Sequence, residues 1–335
     1  MQTDHSRRRF LAGLSAAGAA GLIGAPKPAR AEPPPEVTTV RLPVFANVSD
    51  CQTPIYIAEA LLHGEGITDV RFIDKGTGPD SSDWLQHGEI DFDFNFPPAY
   101  IRSIAKGAAL KVVAGMHVGC LELIADEHVR SVAELKGKKV GISEANSIPH
   151  LLLMIIAANV GLDPAKDIEW VTSPSSLDLL AEGKIDAFLA TPPEPQIARD
   201  LKIGHVILNT AVDRPWSQYY CCMLGGTADY VANNPVATKR VLRALLKSVD
   251  FCVTDPESAA RRVVDLGYAA SYDYALQTMR EVRYDKWRDY DPEDSMRFYT
   301  LRMLESEIIT GNPKDIIATS TDWRFINELK REMKT

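Results

Sequence analysis

The 335-residue chain lacks the short patterns that announce common catalytic machinery. It has no G-x-S-x-G, no H-E-x-x-H and no C-x-x-C, so no serine hydrolase elbow, zinc protease helix or thiol-redox pair is expected. Histidines at positions 5, 63, 87, 117, 128, 150 and 205 show no metal-ligand spacing, and neither a metal nor a cofactor is expected. Gly76-Thr77-Gly78 stands without the Gly-Lys-Ser/Thr of a phosphate cradle; it reads as a turn that lets backbone N–H groups approach a ligand. The five cysteines (51, 120, 221, 222 and 252) are odd in number and irregular in spacing, unlike a disulfide framework. Positive charge is also scarce. There are 37 Lys and Arg against 45 Asp and Glu, a net charge of −8, which argues against a nucleic-acid or anionic-membrane partner.

One apolar run is present, and it is terminal. Arg7, Arg8 and Arg9 precede Phe10 to Ile23, and Ala29-Arg30-Ala31 follows. A charged start, an apolar stretch and an A-x-A-like site make residues 1–31 a removable signal peptide. The stretch is too short and too rich in Gly and Ala to span a membrane. Ser6-Arg7-Arg8-Arg9-Phe10-Leu11 is similar to the twin-arginine signal, which exports folded proteins. Removing the leader takes away five positive charges and one negative one, moving the net charge from −8 to −12.

Beyond the leader the sequence repeats itself. Ser81 to Pro98 (SSDWLQHGEIDFDFNFPP) and Ser176 to Pro193 (SLDLLAEGKIDAFLATPP) agree at eight of eighteen positions without a gap. The same 95-residue offset pairs Pro54 with Pro149 and Gly66 with Gly161. A fixed offset of this size marks a duplicated domain. Each copy reads as strand, polar turn, helix from its proline, strand, loop, short helix, strand, and this alternation implies parallel sheets with helical crossovers. In both copies Gly ends a helix, Asp opens an inner strand, and Pro-Pro stops that strand at its C-terminal edge, where α/β sheets bind ligands. The last third is helical, with Asp255-Pro256-Glu257 and Asp291-Pro292-Glu293 as helix starts. The expected architecture is a two-lobed α/β fold, each lobe a mostly parallel sheet flanked by helices. Lobe 1 takes residues 37–121 plus 222–335 and lobe 2 takes 122–221, giving a double hinge.

Three stretches carry a family resemblance: Asp50 to Ala60, Val132-Ala133-Glu134-Leu135-Lys136-Gly137-Lys138-Lys139-Val140-Gly141-Ile142, and Leu180-Ala181-Glu182-Gly183-Lys184-Ile185-Asp186-Ala187. The mature chain resembles the periplasmic solute-binding proteins of ABC importers for nitrate, sulfonates and taurine, with relatives that bind thiamine-pyrimidine precursors. The resemblance implies a monomeric, non-enzymatic binding protein in the periplasm that delivers its solute to an inner-membrane ABC permease. The alternative is an enzyme on the same fold, the thiamine-pyrimidine synthase, whose longer cysteine run is similar to Arg214 to Met223. Here that run is only Cys221-Cys222, and neighbours on a strand face opposite sides, so one metal is not expected to take both.

Ligand contacts are expected where the turns converge. Asn47, Asp50 and Gln52 follow the first strand, and Gly76 and Thr77 follow the second. Asn95 and Phe96 end the inner strand of copy one; Thr191 and Glu194 end that of copy two. Glu144, Asn146 and Ser147 precede the helix at Pro149, and Trp216 and Tyr219 sit at the return crossing. Helix N-termini at Pro54 and Pro149 would favour an accepting group. The acids around them disfavour a bare oxyanion and favour a small zwitterionic or nitrogen-rich solute, an amino-pyrimidine or aminosulfonate, with Trp216 as a stacking surface.

N-terminal sequencing of the exported protein is expected to find a start near Glu32. Replacing Arg7, Arg8 and Arg9 together by Lys keeps the positive charge yet should abolish export; unchanged export would rule out the twin-arginine route.

Overall fold

The computed structural model describes residues 32–44, 50–74 and 81–333. Its elements belong to one compact unit, Pro35–Thr335. The chain opens with β1 (Thr39–Val44), α1 (Thr53–Tyr56), α2 (Glu59–Gly64), β2 (Asp69–Asp74), α3 (Ser81–Gln86), β3 (Phe92–Asn95), α4 (Pro97–Ala105) and β4 (Leu110–Val118). It continues with β5 (Glu122–Ala125), β6 (Lys138–Ile142), α5 (Ile148–Asn159), β7 (Ile168–Thr172), α6 (Ser176–Ala181), β8 (Ala187–Ala190), α7 (Glu194–Leu201) and β9 (His205–Asn209). After β10 (Tyr220–Thr227) it is helical: α8 (Ala228–Asn233), α9 (Pro235–Thr254), α10 (Pro256–Asp265), α11 (Tyr272–Glu281), α12 (Pro292–Glu305), α13 (Pro313–Ser320) and α14 (Arg324–Glu332).

The 95-residue repeat is a repeat of hydrogen bonds. Asp91 and Asp186 each precede an inner strand, β3 and β8. A carboxylate oxygen of Asp91 accepts the Arg41 N–H at 2.7 Å, and one of Asp186 accepts the Lys139 N–H at 2.7 Å. In return the two aspartate N–H groups donate to the carbonyls of Arg41 (2.9 Å) and Lys139 (2.7 Å). Each aspartate thus pins its inner strand to the first strand of its own copy. The two aspartate carbonyls also accept matching bonds, from the Thr227 and Asp126 N–H groups. Gly88 and Gly183, which end the preceding helices, have φ of 67° and 66°, the left-handed region that a side chain resists.

Three sheets result: β1-β2, β3-β10-β4 and β7-β6-β8-β5-β9. Bonds at Asp91 join the first two, so both halves of the fold share one plan. β1 pairs parallel with β2, as β6 does with β7. Each of the two larger sheets also holds one antiparallel strand. β10 runs antiparallel between β3 and β4, and β5 runs antiparallel between β8 and β9. Each such strand follows the last parallel strand of the other half, so the chain exchanges a strand in each direction. Tyr220 and Cys221, placed by the sequence in lobe 2, lie on β10 beside β4.

The helix expected from Pro54 is two pieces, α1 and α2, broken at Ile57–Ala58. Thr53 does not cap it: its hydroxyl donates back to the Asp50 carbonyl at 2.7 Å, and Gln52 occupies the cap position without a side-chain bond. Asp255 and Asp291 do cap their helices, accepting the N–H groups of Ser258 and Glu293. α9 packs on α1, α2 and α14. There Glu65, near the start of the fold, receives Arg243 at 2.8 Å and Lys247 at 2.7 Å.

β10 fits because its neighbours are small. A Cβ on Gly115 of β4 would meet the Tyr220 ring at 2.3 Å. The Tyr220 hydroxyl lies 3.0–3.2 Å from the carbonyl oxygens of Lys286, Trp287 and Tyr290, so the ring has no room to retreat. Gly115→Ala is expected to cost about 3 kcal/mol or to prevent folding. Gly64→Ala, with nothing within 4 Å, is expected to be near neutral. Equal urea midpoints for the two variants would contradict this packing.

Candidate functional site

The two crossings between the sheet systems run side by side. Thr210, leaving β9, donates its N–H to the Leu121 carbonyl at 3.0 Å, and its hydroxyl oxygen accepts the Cys120 and Leu121 N–H groups at 3.2 and 3.0 Å. Next to it, a Cβ on Gly119 would strike the Ala211 backbone at 2.3 Å. Close apposition of two short connections is the geometry of a paired hinge.

The turn after β1 and the turn after β8 meet near this hinge. The Asp50 N–H donates to the Pro192 carbonyl at 3.3 Å, joining the turn after β1 to the turn after β8. Asp50 is buried, and this desolvation, with a smaller contribution from Cys51, raises its pKa from 3.8 to about 7. Gln52 is buried and donates to the Phe94 carbonyl at 3.0 Å. Asn95 donates to Ser81 (2.9 Å) and Asp93 (3.0 Å), and its own oxygen accepts the Phe96 N–H at 2.7 Å. Across the junction, a Glu194 carboxylate oxygen accepts the Thr191 N–H at 3.1 Å, while burial raises the pKa of that carboxyl. The junction is therefore walled by carboxyl groups held toward the neutral form.

Other predicted contacts are dispersed. Asn47, Gly76 and Thr77 lie outside the described residues. Glu144 and Asn146 are exposed on the turn before α5; Asn146 takes φ 67° and donates its N–H to His150 Nδ1 at 2.9 Å. Ser147 Oγ is buried and has no hydrogen-bond partner among the described residues, which makes it a ready contact for a ligand. Phe96 is in the core, edge-on to Tyr299. Trp216 is 3% exposed and packs edge-on to Phe298, and Tyr219 stacks face to face on the same ring at 3.9 Å. Both aromatics already pack against protein. The N-terminus at Pro54 belongs to a single turn, leaving α5 as the helix that can offer free N–H groups.

Sequence reasoning missed three features. Arg102 of α4 donates to the Asn146 carbonyl at 3.0 Å, a second bond across the junction. On the far side Glu281 of α11 accepts from Arg199 (2.7 Å) and Gln196 (2.8 Å) of α7. Arg199 also holds the buried Glu122 at 2.9 Å. The third feature is a knot of sulfur. Cys51 and Cys222 lie with a ring nitrogen of His117 in one group, and Cys120 and Cys221 lie with His117 in another, with ligand atoms within 4.8 Å of one another in each. Cys120 and Cys221 sulfurs are 3.3 Å apart. Cys221 and Cys222 fall in different groups, and β10 is bulged here: its pairing with β4 shifts register between Tyr220 and Cys222. A cavity of about 290 Å³, lined by Ile124, Pro195, Arg199, Lys202 and His205 among others, lies away from the strand edges.

Comparison with known proteins places the chain in a broader group. A family model described as the NMT1-like family matches residues 33–266. A Brucella abortus (strain 2308) protein, provisionally described as a binding protein, is 31% identical over 185 residues, 54% of this chain and 57% of that one; the chain thus spans little more than half the length of that relative. Among solved structures, the periplasmic nitrate-binding protein NrtA from Synechocystis PCC 6803 superposes with a TM-score of 0.76 at 17% identity over 90% of each chain. The alkanesulfonate-binding protein SsuA from Xanthomonas axonopodis pv. citri, bound to MOPS, gives 0.68 at 16% identity over 88% of this chain and 99% of that one. The fold is thus the two-lobed α/β fold of periplasmic binding proteins.

The Arg199 contacts differ in worth. Arg199→Ala leaves buried Glu122 with Asn209 alone and is expected to cost about 2–3 kcal/mol. Glu281→Ala removes the exposed arm and is expected to cost about 1 kcal/mol or less. Urea titration of both variants checks this, and equal losses would contradict it.

Proposed function

The chain belongs to the NMT1-like family, and from that membership we propose that it is the solute-binding component of an ABC importer, working in the periplasm after export of the folded protein. Lobe 1 (37–121 plus 222–335) and lobe 2 (122–221) close on a small organic solute and present it to a membrane permease. The observation that supports this reading is the Asp50 N–H bond to the Pro192 carbonyl, which joins the turns after β1 and β8, at strand ends of the kind where α/β sheets bind ligands. Nothing in this role requires turnover, and binding without chemistry is expected.

The solute class follows from charge. Asp50 and Glu194 are carboxyls whose pKa values burial raises, and Arg102 at the junction is turned to a backbone carbonyl. An inorganic oxyanion would be repelled as these acids ionise. A solute with an amine or ring N–H would instead give them a partner, and Ser147 Oγ and the N-terminus of α5 suit an accepting group at its other end. An aminosulfonate or an amino-pyrimidine has both ends.

Titration calorimetry with taurine, an alkanesulfonate, an amino-pyrimidine and nitrate separates the classes. Nitrogen-bearing organic solutes should bind ahead of nitrate, and Glu194→Gln should weaken the best of them at least tenfold, about 1.4 kcal/mol. A raised pKa means that Glu194 keeps its proton longer, so affinity for an amine should climb with pH as it ionises and then level off. Nitrate binding tightest, with Glu194→Gln indifferent, would overturn the solute assignment.

A further inference from the structure

The knot of sulfur at the hinge belongs to no part of the ligand reading. We propose that His117 and the thiols around it, Cys51 and Cys222 in one group and Cys120 and Cys221 in another, form a site at which one thiophilic closed-shell metal ion, zinc(II) or copper(I), is held by His117 and a subset of these thiols, four donors at most.

The residues come from three separate parts of the fold. Cys51 lies in the 3-10 turn beside Asp50, His117 near the end of β4 with Cys120 just beyond it, and Cys221 and Cys222 on β10. All are buried except Cys120, which is partly exposed and offers a way in for an ion. His117 is the second, independent pointer. It is fully buried and neither ring nitrogen has a hydrogen-bond partner among the described residues. Its ring is held by Phe94 (5.6 Å, tilted) and edge-on by Tyr284 (5.3 Å), so the aromatics fix the imidazole while supplying nothing for its nitrogens. A buried imidazole without a partner is disfavoured unless something binds it. Sulfur atoms are its polar neighbours, and an ion is what thiols and an imidazole share. Zinc–sulfur bonds near 2.3 Å make the edge of a tetrahedral site about 3.8 Å; the 3.3 Å between Cys120 and Cys221 and the 4.8 Å limit on each group bracket that edge.

The competing use of the pair, a Cys120–Cys221 disulfide, would leave the buried His117 nitrogens without a hydrogen-bond partner among the described residues. A metal ion uses both kinds of group, thiols and one imidazole nitrogen. It would also tie both hinge crossings to the turn that carries Asp50, so it should stiffen the region against unfolding.

The test is metal loading of the reduced full chain with zinc(II) or copper(I), followed by native mass spectrometry and thermal unfolding. One retained equivalent and a melting temperature raised by several degrees are expected, with cobalt(II) giving a thiolate charge-transfer band in the same site. The Cys51→Ser, Cys222→Ser double variant should lose at least about a hundredfold in affinity. Cys120→Ser, at the exposed rim, is the safeguard against misfolding of the double variant and should also weaken binding. Cys252→Ser, outside both groups, should bind as the parent does. No retained ion, retention unchanged in the Cys51, Cys120 and Cys222 variants, or a metal-free protein carrying a Cys120–Cys221 disulfide after export would each overturn the proposal.

Discussion

Strand exchange is the constraint on which the rest of the structure depends. Successive strand-helix-strand units lay down parallel strands, so an antiparallel strand in the middle of such a sheet must arrive from elsewhere. β5 reaches its place between β8 and β9 after β4 of the other half, and β10 reaches its place between β3 and β4 after β9. Two crossings are therefore obligatory, and the Thr210 bonds to Cys120 and Leu121 hold them together. Neither half can complete its sheet without the other, yet only these two short connections carry the chain between them. That combination gives one cooperative molecule with one place to bend.

Among the described residues, hydrogen bonds and ion pairs that would hold the lobes closed are few and mostly peripheral. One is a backbone bond from Asp50 to Pro192, another runs from Arg102 to Asn146, and a third is the partly exposed Arg199–Glu281 pair. Exposed ion pairs contribute about a kilocalorie or less each. A solute with modest differential affinity can therefore decide the balance between open and closed forms. β10 is packed without slack around Gly115 and Tyr220, while the turn before α5 carries a buried Ser147 hydroxyl without a hydrogen-bond partner among the described residues.

The duplicated half of the fold was legible because its signals are local. Gly88 and Gly183 end helices and Pro-Pro stops β3 and β8 through near neighbours, and Asp91 and Asp186 each bond to a strand within their own copy, so the 95-residue repeat survives in the letters. The exchanged strands were not legible, since β5 and β10 are apolar segments whose direction depends on the far half of the chain. The same holds for the cysteines. Positions 51, 120, 221 and 222 show no motif spacing, and only the bulge in β10 and the approach of the two crossings gather them around His117. Trp216 was singled out for its place near the hinge, but its packing against Phe298, 82 residues later, could not be read from local pattern. The broken helix at Pro54 is a smaller case, where tertiary packing of Ile55, Tyr56 and Ile57 outweighs helix continuation.

Hinge closure is most directly checked by small-angle X-ray scattering of the full chain, with and without a saturating amount of the solute that gives the largest thermal shift. Two lobes on the paired connections at Gly119–Leu121 and Thr210 should give a smaller radius of gyration with solute present. A radius unchanged under saturation would contradict a closing trap and leave a rigid binding scaffold in its place.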